Sequence, residues 1–265
     1  MQTFELDYHL LILDVMQNGE DRSTRNGMTR SMFAKTLEVD LTDTDKFPLL
    51  QSRKMFVSGV LGEFAAFVRK PKHLADFEEW GCNYWKDWAK PDGSITVDYG
   101  NAWFDDNQID RLRYKLANDP TDRRMIVTGW RPERLEDLDL PCCHMMYQFY
   151  VSAEGYLSMI WTQRSVDMMI GLPADIILAA TWLITLANEF GFKPGKITMN
   201  FGDCHIYAEH FKNVERYLAN EADGYSYPVY ELKTPTGTPF DLFEPKDLRI
   251  TDYESHGHIP FELKA

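Results

Sequence analysis

The sequence predicts an α+β fold, and three observations carry that expectation. Helical periodicities alternate with short β-rich runs; two such runs adjoin around Glu154-Gly155 as a hairpin; one helix, from Pro173 to Gly191, is apolar on nearly all sides and should lie at the centre. With 265 residues, 44% hydrophobic and 14% aromatic, the chain can bury a full core, and residues 1–265 are expected to form one domain.

In chain order, Phe4 to Met16 carries Leu6, Leu10, Leu11, Leu13 and Val15 at mixed helical spacing and stops at Asn18-Gly19, so a first helix is expected. Gly19–Arg30, GEDRSTRNGMTR, reads as a polar loop, either a solvated turn or one whose guanidinium groups hold an anion. Ser31–Leu41 predicts a strand. Lys54–Val68 predicts a helix with Val57, Val60, Leu61, Phe64 and Phe67 on its apolar side, and Glu63 within it is either an exposed acid or a buried functional one. His73–Trp88 is aromatic-dense, Asp92-Gly93 marks a turn, and Asn107–Ala117 predicts another helix. Arg123-Arg124 opens a strand ending at Trp130, and further strands are expected at His144–Val151 and Tyr156–Gln163. After the Pro173 helix, Lys196–Asn200 predicts a strand, GDCHIY an exit turn and Tyr207–Ala219 a helix.

A formal net charge of −13 argues against non-specific nucleic-acid binding, which rests on phosphate neutralisation by Lys and Arg. The residues after Met1 show no basic and then apolar leader, and no apolar run approaches the roughly 20 residues of a bilayer span, so no membrane association and a cytoplasmic location are expected. Cys82, Cys142, Cys143 and Cys204 lack paired C-x-x-C spacing, which predicts free thiols and no metal.

Chemistry concentrates in LPCCHMMYQFY (Leu140–Tyr150) and QRSVDMMIGLPADI (Gln163–Ile176). A thiolate is the most nucleophilic ordinary side chain at neutral pH, and Arg164 and Ser165 one strand from Cys143 are electropositive neighbours of the kind that lower a thiol pKa. Neighbours on a strand point to opposite faces, which makes His144 a poor direct base for Cys143. Judged by the burial habits of cysteine alone, Cys143 would be a small core residue, so adjacent motifs must decide.

Those motifs are DRSTRNGMTRSMF, FPLL with the basic pair Arg53-Lys54, YWKDW, VDYGNAW, DRRMIVTGW, PCCHMMYQFYV, QRSVDMMIGLP and GDCHIY. In order and near-spacing they resemble the thymidylate synthase family over the whole chain. The resemblance implies an α+β homodimer, joined through a large twisted mixed sheet, whose two active sites borrow arginines across the interface. It implies that Cys143 adds to C6 of a pyrimidine nucleotide and so makes C5 nucleophilic toward the methylene of 5,10-methylenetetrahydrofolate, the co-substrate. Arg25 (or Arg22, because the loop length differs slightly), Arg164 and Ser165 resemble phosphate anchors; Arg123 and Arg124 resemble the pair donated by the partner subunit. Gln163 and Asp167 fall among the substrate-binding positions, and His205 and Tyr207 match the pair on the sugar 3′-hydroxyl. Glu63 matches the carboxylate that organises water and proton transfer, with Tyr99 and Asp203 in the same positioning network. Trp85, Asp167, Leu140, Gly171 and the C-terminal tail would line the folate site.

One departure bears on the substrate. Where the family continues Leu-Pro-Phe-Asn-Ile, this chain has Leu172-Pro173-Ala174-Asp175-Ile176. An asparagine amide accepts from uracil N3–H and donates to O4, whereas cytosine presents the reverse pattern, an acceptor at N3 and a donor at N4, which a carboxylate suits. Bacteriophage dCMP hydroxymethylases, relatives in the same superfamily, also carry Asp here, so the resemblance implies dCMP and 5-hydroxymethyl-dCMP as product. The other readings are a dCMP methyltransferase, favoured by the retained Trp85, Leu140 and tail, a thymidylate synthase acting on dUMP, and a non-catalytic nucleotide- or RNA-binding relative. Asp175 would otherwise be a helix N-terminal acid placed by the dipole. Cys142 replaces the family's proline, as a core residue or a second reactive thiol.

Overall fold

The computed structural model describes residues 2–43, 46–220 and 224–264. Helix α1 (Thr3–Asn18) buries Phe4, Tyr8, Leu11, Ile12 and Val15, one stripe at helical period. Its Glu5 is also buried and accepts from the backbone N–H groups of Gln51 and Ser52, both at 2.8 Å, which fastens the helix to the following segment.

The segment expected as a loop is instead a hairpin. Strands β1 (Glu20–Thr24) and β2 (Gly27–Asp40) pair antiparallel, with Arg25 and Asn26 at the tip and Gly27 at φ 125°. Every residue of β1 is exposed, so no period-two apolar signal exists to reveal it. Helix α2 (Val57–Phe67) follows, then α3 (Leu74–Glu78), capped by the His73 ring, and a 3-10 turn at Trp85–Trp88. Helix α4 (Tyr99–Phe104) touches the end of α2 at Gly100, where a Cβ would lie 1.8 Å from the Phe67 carbonyl oxygen; only glycine fits. Helix α5 (Gln108–Asn118) leads to β3 (Ile126–Thr128), β4 (His144–Val151) and β5 (Tyr156–Asp167), the last two forming the expected hairpin.

Helix α6 (Gly171–Phe190) ends on Gly191 at φ 70°. By length and hydropathy it meets the requirement for a membrane span, contrary to expectation, but its residues are buried against the rest of the chain, which is the ordinary fate of a central helix. Strand β6 (Lys193–Tyr207) absorbs the predicted exit turn: GDCHIY stays in the sheet because Asp203, Cys204 and His205 pair with β2 and β5 on both sides. Helix α7 (Phe211–Leu218) therefore starts later than expected, after a 3-10 turn at Ala208–His210. Strands β7 (Val229–Leu232) and β8 (Leu248–Thr251) form a separate ribbon.

The main sheet runs β1-β2-β6-β5-β4-β3, and it is mixed because β5 and β6, joined through α6, are parallel while the other pairs are antiparallel. Its covered face packs on α6 and the aromatic centre of the core, where Trp103 stacks on Trp182 at 4.1 Å and Tyr147 and Trp161 are fully buried. Glu38, Tyr150 and Lys196 stand exposed on strands of the same sheet.

Candidate active site

A cavity of about 310 Å³ opens where the start of β4, the ends of β5 and β6 and the first turns of α6 converge, lined also by α2, the β1–β2 tip and the tail residues Leu263 and Lys264. This lies in the size range of small-molecule sites. Cys143, Glu63, Asp175 and Tyr99, separated by up to 112 positions in sequence, all line it.

Cys143 precedes β4 and is half-buried. Tyr99 Oη accepts from its backbone N–H at 3.3 Å, and Arg164 Nη2 lies 3.9 Å from its Sγ. Arg164 is itself anchored by donating to the carbonyls of Cys142 (3.0 Å) and Pro141 (2.9 Å), so the guanidinium is held along the loop that carries Cys143. Within one chain, burial pushes the Cys143 thiol up and Arg164 only partly opposes this, which corrects the expectation of a lowered thiol. Cys142 points away: its thiol donates to the Gly129 carbonyl at 3.0 Å, and burial pushes it up to about 12, the state of an inert core thiol.

A register shift between His144 and Met146 breaks strict alternation at the head of β4, so His144 reaches the cavity as well as Cys143. His144 does not serve Cys143; its Nε2 meets Asp175 Oδ1 at 2.8 Å, while Gln163 Nε2 donates to Asp175 Oδ2 at 2.7 Å. Asp175 is buried and lies beyond the first turn of α6, which starts at Gly171, and the dipole preference that would make it incidental fades there. His144 Nδ1 and Gln163 Oε1 are buried without a partner among the described residues, and a polar molecule in the cavity would satisfy such groups.

Glu63 is buried, which settles its two readings in favour of the inward one. Its Oε1 accepts from Trp85 Nε1 at 2.7 Å and its Oε2 from the Tyr84 hydroxyl at 2.8 Å. Burial pushes this carboxyl up to about 7; the two donors hold it down and the charge of Asp175 adds to the rise. Such a value suits a group that exchanges protons near neutral pH.

Arg25, Ser165, His205 and Tyr207 also line the cavity. Arg25, at the hairpin tip, is the loop arginine on the cavity, whereas Arg22 pairs with Asp203 at 2.9 Å and is largely exposed. Asp203 also receives His205 Nδ1 at 3.0 Å and so orients the ring from behind. Asp167 Oδ1 accepts from the N–H groups of Met169 and Ile170, shaping the turn into α6 while lining the cavity. Arg123 and Arg124 are not brought to it: Arg124 pairs with Asp122 at 2.8 Å, its side chain 82% exposed, and Arg123 lies beside Glu38 and Tyr150 on the sheet.

Trp85, Leu140, Gly171 and Ala174 make the cavity's apolar wall, which fits a flat heteroaromatic group such as a pterin; Gly171 and Ala174 leave room against it. Sequence reasoning passed over His144, Tyr84 and Asn26 as site residues. The bulge at His144 left no sequence mark, although the density of aromatic residues before Trp85 was a signal that could have drawn attention to Tyr84.

A thiol beside a guanidinium, a buried carboxyl titrating near neutrality, a second arginine and an apolar wall on one cavity suit a group-transfer enzyme acting on a small anionic heterocycle. The family model described as thymidylate synthase matches residues 6–265, and the chain belongs to the thymidylate synthase family. Folate-dependent one-carbon transfer to C5 of a nucleotide follows, with methylenetetrahydrofolate as co-substrate; no group of side chains suited to a metal ion occurs among the described residues.

Proposed function

We propose that this enzyme is a deoxycytidylate hydroxymethylase, acting on dCMP in the cytoplasm, with residues 1–265 as one catalytic domain. The observation that supports dCMP is the surroundings of Asp175: Gln163 donates to one carboxylate oxygen and His144 meets the other at hydrogen-bond distance. An ionised carboxylate held this way offers only acceptor capacity to a ligand, which suits the exocyclic amino group of cytosine and opposes the O4 acceptor of uracil. A cytosine protonated at N3 would also be stabilised by that charge and would be more electrophilic at C6.

In this reading Cys143 Sγ bonds to C6 and the electron pair moves to C5, which takes the methylene supplied by the bound folate. Loss of the C5 proton, with Glu63 as acceptor directly or through water, would form the C5=CH2 bond as the bond between that carbon and the folate nitrogen breaks, releasing tetrahydrofolate and leaving an exocyclic methylene. Water adds there, and departure of the Cys143 thiolate restores the aromatic ring. Arg25, Arg164 and Ser165 hold the phosphate, His205 and Tyr207 the 3′-hydroxyl, and Gln163 and Asp167 the rest of the nucleotide. Trp85, Leu140 and Gly171 hold the folate, and Ala174, in place of a bulky ring, leaves space for the water. The enzyme works as a homodimer through the sheet, with Arg123 and Arg124 of each subunit completing the other's phosphate site.

A second reading, reduction to 5-methyl-dCMP, is favoured by Trp85 and the tail residues Leu263 and Lys264 on the cavity lining, which would exclude water if they closed over the bound nucleotide. Incubation with dCMP or dUMP and methylenetetrahydrofolate, followed by mass measurement of the nucleotide, decides among them. A gain of CH2O on dCMP is expected; a gain of CH2 on dCMP would mean methylation. A gain of CH2 on dUMP with dCMP unchanged would sink the argument from Asp175.

A further inference from the structure

The Glu63 carboxylate is held by two donors from one short segment, Trp85 Nε1 on Oε1 at 2.7 Å and the Tyr84 hydroxyl on Oε2 at 2.8 Å. A phenol has one proton to give, and the alternative acceptor, the Gly59 carbonyl, is at 3.5 Å, the limit of a hydrogen bond. The Tyr84 proton therefore belongs to Glu63. Both carboxylate oxygens of Glu63 thus face donors, and neither partner offers an acceptor suited to a protonated Oε2.

We propose that Tyr84 is a positioning residue for Glu63: its hydroxyl, together with the Trp85 indole, fixes the carboxylate's rotamer and favours its ionised form, so the proton affinity of this group is set from the Tyr84–Trp85 pair. Burial pushes Tyr84 well above its ordinary value, so it stays a donor throughout the working range. The other charged group facing Glu63 is Asp175 of α6, which acts in the opposite sense; His144 and Gln163 are bound to Asp175, and Cys143 and Tyr99 share the cavity. Tyr84 thus offsets a repulsion that the Asp175 carboxylate creates.

This inference rests on the reading of Glu63 as the acid–base group, and the test separates the two. In the full-length protein, the Glu63 carboxyl band is followed by infrared difference spectroscopy against pH, assigned by its loss in Glu63→Gln. In Tyr84→Phe its midpoint is expected to rise by about one pH unit, the effect of losing one charge-assisted hydrogen bond. A fluorinated tyrosine at position 84 keeps the shape and donates more strongly, so it should lower the midpoint, a direction that structural damage would not produce. It also carries the test where Tyr84→Phe fails to fold. An unmoved midpoint in either folded variant, or a rise with the fluorinated residue, overturns the inference. A midpoint that moves while the limb of the kcat/KM–pH profile for dCMP stays in place supports the role of Tyr84 and overturns that of Glu63.

Discussion

In the proposed reaction Cys143 carries the chemistry and Asp175 the specificity. Replacing Cys143 by alanine should lower turnover at least about a thousand-fold while leaving nucleotide binding measurable by calorimetry, because covalent activation is lost and the proposed phosphate contacts of Arg25, Arg164 and Ser165 are not. Unchanged turnover would show that the thiol is idle. Asp175→Asn should swing the kcat/KM ratio of dUMP to dCMP upward by about 100-fold, the worth of two reversed hydrogen bonds. The substitution keeps an acceptor for His144 but presents an amide to Gln163, whose side chain must turn over so that Oε1, partnerless in the native protein among the described residues, accepts. A variant that still preferred dCMP would mean that another group reads the base. Arg25 and Arg22 illustrate the limits of reading at this scale. Both sit in one polar segment, and only the hairpin register puts Arg25 at the tip beside the cavity and commits Arg22 to Asp203.

At the scale of elements, the site depends on close contacts between helices. Gly100 lets α4 rest on the Phe67 carbonyl at the end of α2, and the next residue back, Tyr99, holds the Cys143 backbone. Gly100→Ala should therefore cost about 1–3 kcal/mol in urea unfolding, as overpacking does, and should lower kcat as well by shifting Tyr99. Native stability in that variant would show that α4 can move without disturbing the core. The elements with clear apolar periodicity, α1, α2, α6 and the β4–β5 hairpin, were legible in the sequence because one face or all faces of each are buried. Strand β1 and the second half of β6 were not. The first is wholly exposed, and the second carries Gly202 and Asp203, turn-forming residues that stay in the sheet because both neighbouring strands pair with it.

For the whole molecule, two consequences follow. Glu63 carries a folded-state value of about 7 against 4.5 for an ordinary glutamate, so the unfolded chain releases this proton first as pH rises. The native state is penalised progressively from about pH 4.5 to 7, by an amount on the order of 3 kcal/mol once both states are ionised. Urea unfolding at pH 5 and pH 8 should show Glu63→Gln losing less stability over this interval than the native protein; parallel losses would contradict the burial of a titrating carboxyl. Second, the proposed dimer predicts complementation. Mixing the inactive Cys143→Ala protein with an Arg123→Ala/Arg124→Ala double variant, after subunit exchange, should restore about one quarter of native activity through heterodimers with one complete site. No recovery would place those arginines outside the partner's site.

The sequence alone determined the α+β class, the main apolar elements and the family through its ordered motifs, since each is carried by local pattern, and the family resemblance singled out Cys143, Glu63 and Asp175 as candidate site residues. The tertiary structure decided which groups those residues meet: Tyr84 and Trp85 on Glu63, His144 and Gln163 on Asp175, and burial against Arg164 at Cys143. The reason is physical. A proton affinity or a hydrogen-bonding preference depends on the few ångströms around an atom, and those neighbours come from strands and helices far apart in the chain, brought together only when the sheet closes on its core.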